Sequence, residues 1–205
     1  MLKRVSKPRF QRQLPVDRRQ AFVRATIDCL KRYGHEGLSI RRIAARAGAS
    51  IGLINHHFPN KNALVAEAYR QFHTELVGGL ERAVAEAPAG PRARLRAFFA
   101  ANFSPPHLDR DVLTAWVVFW GLYRHSKAIQ RVHRETYQAY VDLVRGMLED
   151  LERQSGRLRM SVRLAAIGLT AMLDGLWLEW CLDPDTFRPD EAVSLCETWV
   201  EGLRG

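Results

Sequence analysis

"SIRRIAARAGASIGLINHHF" (residues 39–58) holds two short apolar rhythms separated by Ala47-Gly48-Ala49. Ile40, Ile43, Ala44 and Ala47 recur at helical spacing, and Ser39 stands where a helix cap belongs. Ser50 stands in the same place before the second rhythm, which runs to about His57. Helix nucleation is costly, so neither segment is stable alone. Two such helices joined by a three-residue turn containing Gly match a helix-turn-helix. On a helical wheel Ile54 and Phe58 of the second helix fall together and face inward. The opposite arc centres on Gly52 and His56, with Leu53 and Asn55 on its shoulders. That arc carries little bulk and offers hydrogen-bonding groups, which is what a major groove requires of an inserted helix. Gly52 removes a side chain, so backbone and DNA can approach closely.

The charge distribution agrees. The chain has 205 residues and a net charge of +9. Residues 1–61 hold 14 Lys or Arg against 3 Asp or Glu, and the rest carries a balance of −2. A basic segment this segregated attracts a polyanion. Arg41, Arg42 and Lys61 suit phosphates beside the groove. The expected DNA-facing set on the second helix is Ser50, Ile51, Gly52, Leu53, Asn55, His56 and His57. Residues 1–16 are basic and aperiodic and read as a flexible arm that reaches a neighbouring groove or the backbone. Asp17 caps the first helix, whose apolar face is Phe22, Ala25, Thr26, Cys29, Leu30 and Tyr33, and Gly34 and Gly37 stop it.

Beyond residue 61 almost every segment has helical period, and no run shows sustained strand alternation. Asn60 caps a long helix to about Ala85. Further helices are expected at about 91–103, 109–124, 127–153, 160–182 and 190–203. The fold class is all-α, with a helix-turn-helix domain at 17–61 and a helical ligand-binding and dimerisation domain at 62–205. "LAAIGLTAMLDGLWLEWC" (164–181) is apolar nearly all round. Asp174 and Glu179 within it would each cost roughly 3 kcal/mol at a bilayer centre, and the run is short for a span. It reads as a soluble helix covered on every side, one face by the core and the other by a second subunit.

Three cysteines, an odd number with no CxxC, suggest neither a disulfide framework nor a zinc site. The reading is a reducing cytoplasm, with no signal peptide at the basic N-terminus. Adjacent histidines such as His56 and His57 point about 100° apart on a helix, so a shared metal ion is not expected. No GxSxG, GxGxxG, P-loop or HExxH occurs, and Asp174 and Glu179 splay too far apart for an acid–base pair. The chain reads as neither an enzyme nor a cofactor protein.

Residues 17–64 resemble the TetR/AcrR family of transcriptional regulators. The family pattern runs through "IAARAGASIGLINHHFPNKNAL" (43–64), with its glycines at Gly48 and Gly52, serine at Ser50, phenylalanine at Phe58 and lysine at Lys61. The common phosphate-contacting tyrosine of the family is Asn55 here. The resemblance implies about nine helices, a homodimer formed through the last two, a ligand pocket in the C-terminal domain and repression at a palindromic operator. "AWVVFWGLYRH" (115–125) and "MLDGLWLEWCL" (172–182) further resemble choline-responsive members that control genes of glycine betaine synthesis. Aromatic faces bind cations through the ring quadrupole, and quaternary ammonium groups use such cages. The expected cage is Trp116, Phe119, Trp120, Tyr123 and Trp177, with Asp174 as polar partner. An aromatic stripe at helical spacing is more often plain core, and Trp177 and Trp180 also suit a dimer interface. The rival reading of the site is a sensor of lipophilic cations or drugs controlling an efflux pump.

Overall fold

The computed structural model describes residues 15–204. Among them are nine α-helices: α1 (Pro15–Tyr33), α2 (Ile40–Arg46), α3 (Ile51–His57), α4 (Lys61–Glu86), α5 (Pro91–Asn102), α6 (Arg110–Tyr123), α7 (Lys127–Ser155), α8 (Val162–Leu182) and α9 (Pro189–Gly202). A 3₁₀ helix (Gly34–Leu38) joins α1 to α2, and no strand occurs among the described residues beyond one isolated bridge, Leu158 to Arg204. The all-α reading is therefore met.

The helix starts follow cap chemistry. The Ser50 hydroxyl accepts from the Leu53 amide at 3.2 Å, and the Asn60 side chain accepts from that of Ala63 at 2.9 Å. Asp109 accepts from Asp111 and Val112 at the start of α6, and Ser126 accepts from Ile129 at the start of α7. Each bond satisfies amides that the first turn leaves free. Two expected caps differ. Ser39 occupies the cap position of α2 but its side chain makes no capping bond. Asp17 lies inside the first turn of α1, because the helix already begins at Pro15, where a missing N–H is no loss. The rest of the basic arm lies outside the described residues.

The turn between α2 and α3 is closed by a pair of backbone bonds. The Ala49 amide donates to the Ala44 carbonyl at 3.0 Å, and Gly48 donates to Ala45 at 3.2 Å. Gly48 takes φ +60°, the left-handed cap this motif needs.

The apolar faces gather into two clusters. The first joins Phe22, Cys29 and Leu30 of α1 to Ile43, Ile54, Phe58, Leu64 and Tyr69, and extends to Phe119 of α6 and Val132 of α7. The second joins Leu80 of α4 to Phe98, Phe99, Met147, Leu173, Trp177 and Cys196 on the later helices. Trp116 packs against both. Tyr33, expected in the first face, instead stays 44% exposed and carries the Arg42 guanidinium 4.5 Å from its ring centre. The cysteines are free, with Cys29 and Cys196 buried.

By length and composition alone α8 is apolar enough to cross a membrane. It is not covered on every side within one chain. Ala165, Leu169, Leu173 and Trp177 face the core, while Leu164, Ile167, Leu178 and Leu182 form an exposed stripe that Leu195 of α9 extends.

Candidate DNA-reading helix and ligand cavity

The α2–α3 unit presents an open arc. Ile54 and Phe58 anchor it in the core, and Ile51, Gly52, Asn55 and His56 are exposed. A Cβ built on Gly52 would meet only the Ser50 hydroxyl, at 3.9 Å, so the protein itself leaves that position free. Three expected contacts are turned elsewhere. Leu53 is half-buried against the first cluster. His57 sets its ring edge on Phe22 at 5.5 Å and so faces α1. The Ser50 hydroxyl is spent on its cap. Arg41 and Lys61 are exposed at the two ends of the motif. Arg42 donates to the Glu36 carbonyl at 3.1 Å while stacking on Tyr33, so its guanidinium is partly committed within the protein.

If Lys61 meets a phosphate, Lys61→Ala should weaken operator and random duplex equally, by roughly 1–2 kcal/mol, and reduce the salt slope by about one. Titrations of both duplexes at several salt concentrations check this; a loss confined to the operator contradicts it.

The second feature is a cavity of about 590 Å³, counting its open mouth, between α4, α5, α6, α7 and α8. Its aromatic walls are Trp116, Trp120, Tyr137, Tyr140 and Trp177. Trp116 and Trp120 lie 5.8 Å apart with a 32° tilt, and Tyr137 and Tyr140 lie 6.1 Å apart. The Trp177 indole donates to the Asn102 carbonyl at 3.0 Å, which fixes that ring. The Trp116 indole N–H is buried with no partner in the protein.

Asp174 lines the same space. Burial pushes its carboxyl up to about 6. By surface area the residue is nevertheless open. Solvent there screens part of the effect, and the firm point is the upward direction. Asn102 and three histidines, His73, His107 and His133, complete the polar lining. Burial lowers all three histidines, His73 to about 4. At neutral pH they are uncharged, so an ionised Asp174 is the single charge among the lining residues. Aromatic faces around one carboxylate are chemically suited to a weakly hydrated cation that has no hydrogen to donate.

Four of the six expected ligand residues, Trp116, Trp120, Asp174 and Trp177, are thus brought together. Phe119 is not on the wall: it packs on Tyr69 at 4.7 Å and on Phe72 at 5.6 Å in the first cluster. Tyr123 lies behind the wall, with its ring against that of His133 at 5.0 Å. Tyr137 and Tyr140 take their places. Their signal was present in the sequence, since His133, Tyr137 and Tyr140 recur at four and three residues, one face of a helix. Among the described residues no group of His, Cys, Asp or Glu is arranged to hold a metal.

Comparison with known proteins places both halves. Residues 22–68 match the tetR family of bacterial regulatory proteins, and residues 91–205 match the BetI-type transcriptional repressor C-terminal family. The chain is 33% identical over 187 residues to the HTH-type transcriptional regulator BetI of Paraburkholderia phymatum, covering 91% of this chain and 92% of that one. It is 34% identical over 188 residues to BetI 1 of Chromohalobacter salexigens, covering 91% and 90%. A transcriptional regulator of Pseudomonas aeruginosa PAO1 superposes with a TM-score of 0.86 at 48% identity, covering 95% of this chain and 94% of that one. A regulator of Saccharomonospora viridis, solved in complex with choline, shares the fold at a TM-score of 0.77 and 23% identity, covering 91% and 96%. The chain therefore belongs to the TetR family of bacterial transcriptional regulators, with a BetI-type repressor C-terminal domain, and is a DNA-binding regulator and not an enzyme.

Proposed function

We infer that this chain represses genes that convert choline to glycine betaine, and that choline or a closely related trimethylammonium cation is its ligand. The observation that carries the reading is the cavity: five aromatic rings, three uncharged histidines and one carboxylate. Each well-placed ring contributes on the order of 0.5–2 kcal/mol to a desolvated quaternary ammonium. Two or three rings and a carboxylate support an affinity in the micromolar to millimolar range. The BetI relatives and the choline complex of the Saccharomonospora viridis regulator support the same ligand. The test is thermal unfolding across choline, betaine aldehyde and larger lipophilic cations. A shift with the trimethylammonium compounds at lower concentration than with the large cations supports the reading. The reverse order favours a drug sensor of the efflux type.

The DNA-reading residues are Arg41, Gly52, Asn55, His56 and Lys61, with Ile51 against the groove wall and Arg42 available if it leaves Tyr33. Two copies joined along the exposed stripe of α8 and α9 read a near-palindromic site, whose half-sites lie about one helical turn or a multiple apart. The protein acts in the cytoplasm. Leu164, Ile167, Leu178 and Leu182 are the exposed apolar residues of that stripe, so Ile167→Asp should convert the dimer to monomer. Sedimentation at micromolar concentration checks this, and an unchanged dimer would move the interface elsewhere.

Ligand response is then linkage. Choline weakens operator binding only by its differential affinity for the two arrangements of the reading heads.

A further inference from the structure

The cavity and the reading head meet within one turn of α4. Tyr69 belongs to the first cluster with Phe22, Ile54 and Phe58, and is 1% exposed. His73, one turn further along, lines the cavity. On the neighbouring helix His133 also lines the cavity, stacked on the wall ring Tyr137 at 4.8 Å with a 17° tilt. His133 then lies parallel to Tyr69, with ring centres 6.2 Å apart, and its Nδ1 is 2.7 Å from the Tyr69 hydroxyl. Tyr69 in turn packs on Phe119 at 4.7 Å and on Trp116 at 5.9 Å. A row of rigid rings runs from the ligand wall into the core that holds α1 and α3, and it contains one polar joint.

We propose that the Tyr69–His133 hydrogen bond is the joint through which cavity occupancy sets the orientation of the reading head, making both positioning residues for the ligand response. This rests on the reading of the cavity as a trimethylammonium site. A cation seated against Tyr137 displaces or fixes the ring stacked on it, which is His133. His133 then carries Tyr69 with it or breaks the bond. Breaking it leaves the hydroxyl of the buried Tyr69 without a partner, which is unfavourable. α4 follows, and the α1–α3 core packed on Tyr69 follows α4. Other polar links cross the same boundary: Arg19 to Glu67 at 3.0 Å and Arg70 to Glu135 at 2.6 Å. Arg70–Glu135 is solvent-exposed and Arg19–Glu67 half-exposed, so solvent screens both and they tolerate sliding that the inner bond does not.

The experiment measures operator affinity with and without saturating choline, and choline affinity by calorimetry, in the parent and three variants. Tyr69→Phe keeps the ring and removes the hydroxyl. It should leave operator affinity without ligand and choline affinity within about threefold of the parent, while the ratio between operator affinities falls toward one. Coupling ratios of roughly 5 to 150 are ordinary for such proteins, so the loss is measurable. His133 lines the cavity, so His133→Phe is read on the ratio alone, which should also fall toward one. His133→Asn, which places an amide near the position of Nδ1, should retain the ratio. A parent-like ratio in Tyr69→Phe overturns the proposal. So does a choline affinity that falls with it, because the pair would then be building the pocket and not transmitting from it. Absence of choline binding in the parent would overturn the ligand reading on which this proposal rests. The imidazole nitrogen NMR signal of His133 tests the joint without ligand. By reciprocity, operator binding should shift it in the parent and not in Tyr69→Phe, and no shift in the parent overturns the proposal.

Discussion

Asp174→Asn should weaken choline binding about thirtyfold at neutral pH and, in the same protein, raise the stability of the unliganded form. The first effect follows from Coulomb attraction. A carboxylate about 5–6 Å from a cation in partly screened protein contributes roughly 2 kcal/mol. The second follows from the raised carboxyl. Asp174 titrates at about 6 in the folded chain against an ordinary 3.8. The folded state therefore binds this proton more readily than the unfolded chain does. Its relative stability is greatest below the ordinary value, is lost as pH rises from about 4 to about 6, and stays lower above that. The exposure of Asp174 screens part of this, leaving a gain of about 1 kcal/mol for the amide. A structural carboxylate would move both properties in the same direction. The opposed changes are the signature of a group retained for a ligand, and calorimetry with urea unfolding separates them. The parent should also lose choline affinity as pH falls through about 6, and Asp174→Asn should show a flat profile across that range. A parallel pH dependence in both proteins would place the titrating group elsewhere.

Gly52→Leu should abolish operator recognition, by about a hundredfold or more, without harming the fold. Room for a Cβ exists within the protein, and Leu is the better helix former by roughly 0.8–1 kcal/mol. Urea unfolding should therefore show equal or greater stability, and choline binding should be unchanged. The loss arises only where the exposed arc meets the groove, because a bulky side chain at its centre holds the backbone away from the bases. Operator affinity near that of the parent would mean that α3 does not enter the groove at that face.

Helix starts and the α2–α3 turn were legible because they depend on neighbours in sequence. Ser50, Asn60 and Gly48 act on amides or carbonyls within a few residues. Ser39 failed as a side-chain cap although its residue type was right. The cavity was legible only in part, because its walls depend on how each helix is rotated by distant packing. Phe119 and Trp120 are adjacent in sequence, yet Phe119 turns to Tyr69 of α4 and Trp120 to the cavity. The rotation of α6 follows from its seat in the first cluster, which no local pattern specifies. Tyr137 and Tyr140 looked like any apolar face of a long helix until α7 was laid between α4 and α8. The outward turn of Tyr33 has a similar cause, since its ring is used by Arg42 across the motif.

The central claim is that the cavity selects a quaternary ammonium by charge as well as by shape. The most direct measurement is calorimetry of the full-length protein with choline and with its neutral isostere, in which carbon replaces the nitrogen. The two fill the same volume and differ in the charge that the aromatic faces and Asp174 read. The account predicts micromolar to millimolar choline binding, with the isostere weaker by at least about tenfold. Equal affinities would make the cavity a merely apolar pocket and would contradict it.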